Sequence, residues 1–248
     1  MGSAGASNDD ERFHTTQWSR VVAANWDDSP QSRAALAALC ETYWPPLYAF
    51  VRRSGYSPAD AEDLTQAFFA RLLERNSLRA ADRQRGRFRS FLLGAIKHFL
   101  ANQRKATRAQ KRGGGRQLRT LDFALVEAAY AMEPSNGQTP QRLFDRHWAL
   151  MLLTQGWRRL EEEQRQAGKA EQFACLQSFL VGGDEQSTYR IAAHQLETTE
   201  AAVKMAVHRL RKRYREVLRD EIGQTVADPG EIDDEIRQLF AVLGPAVG

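Results

Sequence analysis

Apolar residues recur along this chain at intervals of three and four, and almost nowhere at intervals of two. That is the period of a helix, so the pattern predicts an all-α fold without strands. A short first helix carries Trp18, Val21 and Val22 and ends at Asp27-Asp28-Ser29-Pro30. A second runs from about Arg33 to the breaker Ser54-Gly55-Tyr56-Ser57-Pro58. The next begins at Ser57, which can cap it, with Pro58 in the first turn and Asp60 placed to reach back to the cap. Its predicted buried stripe is Ala61, Leu64, Phe68 and Leu72. Further on, Phe88, Leu92, Ala95, Ile96 and Phe99 make another stripe. Gly113-Gly114-Gly115 and the run from Pro134 to Pro140 bracket a poorly patterned middle, and Gly182-Gly183-Asp184 precedes the last helical group. The breakers predict two small helical domains joined by a flexible linker. No repeat of solenoid period is present.

Charge divides the chain more sharply than hydropathy does. The net formal charge is only +4 over 248 residues, with 42% hydrophobic residues, enough for a packed core. From Ser57 to Glu74, however, four acids (Asp60, Glu62, Asp63, Glu74) face one base, Arg71. From Arg79 to Arg116 twelve Lys/Arg face a single acid, Asp82, a local excess of +11. The first is either a wet helix face or a docking face for a basic partner. The second is the electrostatic footprint of a site for a polyanion. Inside it, Arg87-Phe88-Arg89-Ser90-Phe91 interleaves cations with rings, which suits single-stranded nucleic acid. Phe91, His98, Asn102 and Lys105 form a second, mixed stripe beside the apolar one.

Near the end, Ser187 to Leu196 reads as a short helix with Ile191, Ala192 and Leu196 inward. Glu197-Thr198-Thr199 is a tight connection, Thr199 can cap the following helix, and Glu200 suits the positive end of its dipole. Val203, Val207, Leu210, Tyr214 and Val217 pack that helix down. Glu200, Lys204, His208, Arg211 and Arg215 hold the opposite face, flanked by Arg209, Lys212 and Arg213. A short helix, a tight turn and a longer basic helix is the sequence form of a helix-turn-helix, whose second helix enters the major groove. The turn position often filled by glycine is Glu197.

Other chemistry is excluded or unsupported. The two cysteines, Cys40 and Cys175, stand alone, without ligand spacing for zinc, and fit a reducing cytoplasm. No paired acids, P-loop or nucleophile motif points to an enzyme, and no cofactor or metal is expected. No apolar run approaches the roughly 20 residues that span a bilayer, and Met1 to Glu11 lacks the features of a secretion signal. The expected location is cytoplasmic, on the nucleoid.

Taken in order, these segments resemble a bacterial RNA polymerase sigma factor of the extracytoplasmic-function (ECF) group, which keeps regions two and four. Tyr43 to Tyr56 (YWPPLYAFVRRSGY) is similar to the start of region two. Asp60 to Phe69 (DAEDLTQAFF) resembles the stretch that binds the polymerase clamp, and Arg87 to Arg104 the segment that melts and reads the minus-ten element. Tyr189 to Leu210 (YRIAAHQLETTEAAVKMAVHRL) resembles the region-four motif for the minus-thirty-five element. Phe91 replaces a tryptophan often found there, and His98 and Asn102 stand where asparagine and aspartate are usual. The resemblance covers about residues 35–112 and 143–220.

It implies a 1–32 extension, region two over 33–112, a linker over 113–138, region four over 139–222 and a C-terminal extension helix over 223–248. It further implies a specificity subunit that binds core RNA polymerase through Asp60, Asp63, Gln66 and Phe69. Phe91, His98 and Asn102 would meet the melted non-template strand, while Arg87, Arg89, Lys97, Arg104 and Lys105 hold its backbone. Thr199, Glu200, Lys204, His208, Arg209, Arg211, Lys212 and Arg213 would form the surface for duplex promoter DNA. An anti-sigma factor or a Ser/Thr kinase is the expected regulator, with Thr65 a possible phosphosite because a phosphate there adds nearly two negative charges. The tail offers another route, since Glu231, Asp233, Asp234 and Glu235 could lie against a basic surface. The alternative is a helix-turn-helix regulator that is not a polymerase subunit, which would leave the acidic helix and the Arg/aromatic segment unexplained.

Overall fold

A computed structural model describes residues 30–74, 87–109, 123–131, 138–180 and 185–244. The expected first helix with Trp18, Val21 and Val22 lies outside them, as do Arg79, Arg83, Arg85, Lys111, Arg112 and Arg116. The described chain is all α: α1 (Pro30–Arg53), α2 (Pro58–Glu74), α3 (Phe88–Ala109), α4 (Phe123–Ala131), α5 (Pro140–Gln166), α6 (Ala170–Leu176), α7 (Glu185–Gln195), α8 (Glu200–Gly223) and α9 (Ile232–Leu243), with short 3-10 turns at Gln177–Leu180 and Pro229–Glu231. α1 continues through Pro45 and Pro46. Each proline withholds an amide from the carbonyl four residues back. The buried side chains of Tyr43, Trp44, Leu47 and Tyr48 pin that stretch instead.

Two hydrophobic cores form, matching two helical units. The first gathers Tyr43, Trp44, Leu47, Val51, Phe68, Phe88, Leu92 and Ile96 from α1, α2 and α3. The second gathers Leu160, Phe173, Leu176, Phe179, Tyr189, Val203, Val207 and Leu210. α5 serves both. Its first half sends Phe144, Trp148, Ala149 and Leu152 into the first core, and Leu160 enters the second. Trp148 stacks on Tyr43 with centroids 4.8 Å apart and the planes 14° off parallel. Ile222, at the end of α8, and Leu239 of α9 complete the same core. α5, which starts just after the breaker run, therefore belongs to both cores.

Local chemistry explains the joints. Thr139 caps α5, its hydroxyl accepting from the Arg142 amide at 3.2 Å, ahead of Pro140 in the first turn. Gly156 lets α5 meet α8, since a Cβ there would lie 2.7 Å from Leu218 Cδ2. Within the segment expected as a linker, α4 is clasped to α1. Arg52 donates to both Glu127 carboxylate oxygens at 2.8 and 3.0 Å, Tyr48 donates to the same carboxylate at 2.5 Å, and the Arg52 guanidinium lies over the Tyr130 ring. Burial pushes the Cys40 thiol up to about 12, so it packs as a protonated thiol.

Trp148 lies 0% exposed against a core built mainly by α1 to α3. Trp148→Ala is expected to cost the first unit about 3–5 kcal/mol. Denaturant unfolding followed by circular dichroism measures it, and an unchanged midpoint would show that α5 does not share that core.

Candidate polymerase-docking and nucleic-acid surfaces

The start of α2 is a capped turn. Ser57 Oγ accepts from the Asp60 amide at 3.1 Å and donates to Asp60 Oδ2 at 2.6 Å. The carboxylate thus ties to the cap hydroxyl rather than to the cap amide. Asp60 and Asp63 stand in solvent and Gln66 is half-buried beside them. Phe69 does not join this surface. It is buried, stacked on Trp44 with centroids 5.6 Å apart, so it is a core ring. Thr65 is also enclosed, at 0% exposure, and its hydroxyl donates to the Ala61 carbonyl at 2.7 Å. A kinase meeting this conformation would find no hydroxyl at the surface. Both corrections have one cause: the buried stripe of α2 is wider than the Ala61, Leu64, Phe68, Leu72 row and takes in positions 65 and 69.

α3 buries Phe88, Leu92, Leu93, Ile96, Phe99 and Leu100. Lys97, His98, Arg104 and Lys105 are exposed, and Phe91 and Asn102 are half-buried. Asn102 Nδ2 and His98 Nδ1 lie 3.2 Å apart, and Phe91 lies at 6.1 Å from Phe88 in stacked orientation. Phe91, His98, Asn102 and Lys105 therefore share a side of the helix, as their spacing requires. Lys97 donates to Gln141 at 3.0 Å, and Arg104 donates to the Tyr56 hydroxyl at 2.9 Å.

The two arginines at the head of α3 are engaged within the protein. Arg89 is buried. Its Nε and Nη2 donate to the two Glu235 carboxylate oxygens at 2.8 and 3.0 Å, and its Nη1 to Asp145 at 2.5 Å. Burial opposes the Arg89 charge, but the bonds and charges of Glu235 and Asp145 outweigh it and raise its pKa. Burial raises the Asp145 pKa despite the pull of Arg89. Arg87 pairs with Asp234 at 2.5 Å and Glu235 at 3.0 Å, and donates to Gln238. In this arrangement neither guanidinium is turned to a nucleic-acid backbone.

In the segment expected as a helix-turn-helix, α7 (Glu185–Gln195) is followed after a tight connection by α8 (Glu200–Gly223). Thr199 caps α8, its hydroxyl accepting from the Ala202 amide at 3.2 Å. Tyr189, Ala192, Ala193, Val203, Ala206, Val207 and Leu210 form the seam. Ile191 is the correction. It is 56% exposed, and Tyr189 takes the inward place, stacked on Phe179 with centroids 4.6 Å apart. Glu200, Lys204, His208, Arg209 and Lys212 are exposed along one side of α8, with Arg215 beyond them. Arg211 and Arg213 turn back instead. Arg211 donates to the Phe179 carbonyl at 2.7 and 3.2 Å, and Arg213 to both oxygens of Glu163 at 2.8 Å. Met205, absent from the sequence-predicted surface, is 56% exposed between Lys204 and Arg209. An apolar residue on a polar helix face was the signal for it. Among the described residues no group of His, Cys, Asp and Glu could hold a metal, and no helix is long and apolar enough to cross a membrane.

With this geometry in place, residues 39–110 match the family model of sigma-70 region 2. The match takes in most of α1 and all of α2 and α3, and leaves the helix-turn-helix outside it. It supports kinship with the sigma-70 family of transcription-initiation factors over those residues. No curated protein and no solved structure matches the chain.

Two tests follow from the helix-turn-helix. Glu197 sits at φ 49°, a left-handed conformation that favours glycine. Glu197→Gly is expected to stabilise the second unit by about 1 kcal/mol, and a lowered melting temperature would contradict that. The Glu163 carboxyl is held below its ordinary value of 4.5, chiefly by its hydrogen bonds from Arg213. A carboxyl depressed on folding adds stability that is full above its unfolded pKa and lost as pH falls through the folded one. Glu163→Gln is expected to cost less than about 1 kcal/mol at neutral pH. The gap from wild type closes as pH falls below 4.5, and a gap that stays constant in acid would exclude this cause.

Proposed function

We propose that this chain is an ECF-type sigma factor that directs RNA polymerase to promoters and holds the opened minus-ten strand. The observation that carries the proposal is the joining, in one chain, of a segment matching region 2 to a separate helix-turn-helix with a basic outer face. Asp60 and Asp63, with Gln66 beside them, meet the polymerase core. Phe91, His98 and Asn102 face the non-template strand, where an unstacked base can be read. Lys97, Arg104 and Lys105 hold its phosphates.

Lys204, His208, Arg209 and Lys212 lie on the major groove of the minus-thirty-five duplex. Phosphate contacts there supply affinity and base edges supply sequence. Met205 adds an apolar contact suited to a thymine methyl. Thr199 serves through its cap, Glu200 opens the recognition helix, and Arg211 and Arg213 brace it. Region two then spans 33–112 and region four 139–222, and the connecting segment 113–138 carries α4, which Arg52 holds on α1.

Run-off transcription with core polymerase on a library of random promoters tests the proposal, the expected result being a defined start site. Asp60→Ala with Asp63→Ala is expected to weaken core binding about tenfold or more, as loss of desolvated carboxylates does. Lys204→Ala and Arg209→Ala are each expected to lower the salt slope of duplex binding by about one. A chain that never joins core polymerase would overturn the proposal.

A further inference from the structure

α9 lies across the head of α3, and its residues divide by height. Leu239 is buried in the first core and Ile232, Ile236, Val242 and Leu243 pack against it. One turn above, Glu235 is 0% exposed and stands between two guanidiniums. It takes two hydrogen bonds from Arg89 and lies 3.0 Å from Arg87 Nη1. Asp234 takes Arg87 Nη2, and the Gln238 side-chain oxygen accepts from both arginines. The positions 234, 235 and 238 are neighbours on one helix face. A single turn of α9 thus presents oxygens to both cations.

The approach to α9 reinforces this seat. The amide of Phe88, at the first turn of α3, donates to the Thr225 carbonyl at 2.9 Å. Thr225 is buried, its hydroxyl turned to the Ile222 carbonyl at 2.8 Å. Asp228 caps the turn at Pro229, accepting from the Gly230 amide at 2.8 Å. Arg219 of α8 pairs with Asp233. The chain after α8 is therefore folded back so that its carboxylates meet Arg87 and Arg89.

Carboxylates and phosphates bid for the same guanidinium donors in the same planar, two-pronged geometry. Arg87 and Arg89 begin the helix whose exposed side is proposed to hold the opened strand. They cannot serve a phosphate while they serve Asp234, Glu235 and Asp145. We infer that α9 is a latch that closes over the head of α3, its carboxylates standing where strand phosphates would sit, so that strand binding requires α9 to swing out. This inference rests on the proposed function for the meaning of the strand, and its test runs without polymerase.

The closed state lowers affinity by the fraction of molecules that are open. A buried guanidinium stripped of its partners is costly, so the latch exchanges carboxylate for phosphate rather than opening onto nothing.

The test uses the full chain and a labelled twenty-nucleotide single-stranded DNA, read by fluorescence anisotropy. Asp234→Asn with Glu235→Gln is expected to bind it about tenfold tighter than wild type, since the latch is loosened. Glu161→Gln with Glu171→Gln changes net charge equally at exposed positions away from α3 and is expected to change binding by no more than about twofold. Equal gains for the two pairs, no gain for the first, or no binding by any chain would overturn the latch. Should the first pair fail to fold, the wild type decides by hydrogen exchange. Amides of residues 232–243 are expected to exchange faster once the strand is bound, and unchanged protection at saturation overturns the latch. A chain that passes these tests yet never joins polymerase would leave α9 a gate on strand binding and remove the sigma-factor proposal alone.

Discussion

A guanidinium taken out of water must be given carboxylates, and in this protein that requirement organises the first unit. Arg89 of α3 is enclosed between Asp145 of α5 and Glu235 of α9. Three helices from distant parts of the chain therefore share one charge network. Beneath it, Phe88 and Tyr43 pack edge to face and Trp148 stacks on Tyr43. The apolar layer supplies most of the driving force, because buried aromatic area is large and needs no partner. The ionic layer adds little net stability but makes orientation costly to change, since any rotation of α9 leaves a dry charge unpaired. Removing one partner harms the fold far more than the pair's net contribution suggests.

The same bookkeeping separates two kinds of cation on α8. Arg211 and Arg213 find acceptors within the protein, at the Phe179 carbonyl and at Glu163, and so fix α8 against the 3-10 turn and α5. Lys204, Arg209 and Lys212 remain exposed to solvent, along one side of the helix. The DNA-reading role proposed for α8 needs both. Without the first kind the helix is not held at a defined angle to the rest of the domain. Without the second it has nothing to offer a phosphate. Lys204 is drawn toward the Tyr189 ring, 5.5 Å from its centroid, which restrains the start of that exposed side.

Much of this was legible in the sequence, and what was legible was local. The caps at Ser57 and Thr199, the helical class and the two helices flanking Glu197 all follow from residues within a turn of one another. The charge asymmetry between α2 and α3 is likewise read directly from composition. What escaped depends on distant partners. Arg89 counted as a strand-binding cation because its acids lie 56 and 146 residues away. Phe69 counted as a docking residue because Trp44, on another helix, claims its face. Ile191 and Tyr189 differ by two positions, about 200° around a helix, and only the ring of Phe179 decides which of them turns inward. Periodicity locates a stripe but not its width. For that reason positions 65 and 69 moved from the surface of α2 into the core.

The shared helix has a consequence for how the two units act together. α5 is rooted by Trp148 in the first core and by Leu160 in the second. A ligand on α2 or α3 that shifts the first core therefore acts on α5, and through it on the seat of α8. Packed cores respond to such shifts by switching between arrangements rather than by bending smoothly. Coupling of this kind is reciprocal, so whatever a ligand on α8 does to the first unit, a ligand on the first unit does to α8 by an equal free energy. Two surfaces on independent beads would add their affinities through a tether alone. Two surfaces whose cores share one continuous helix can also read each other's occupancy.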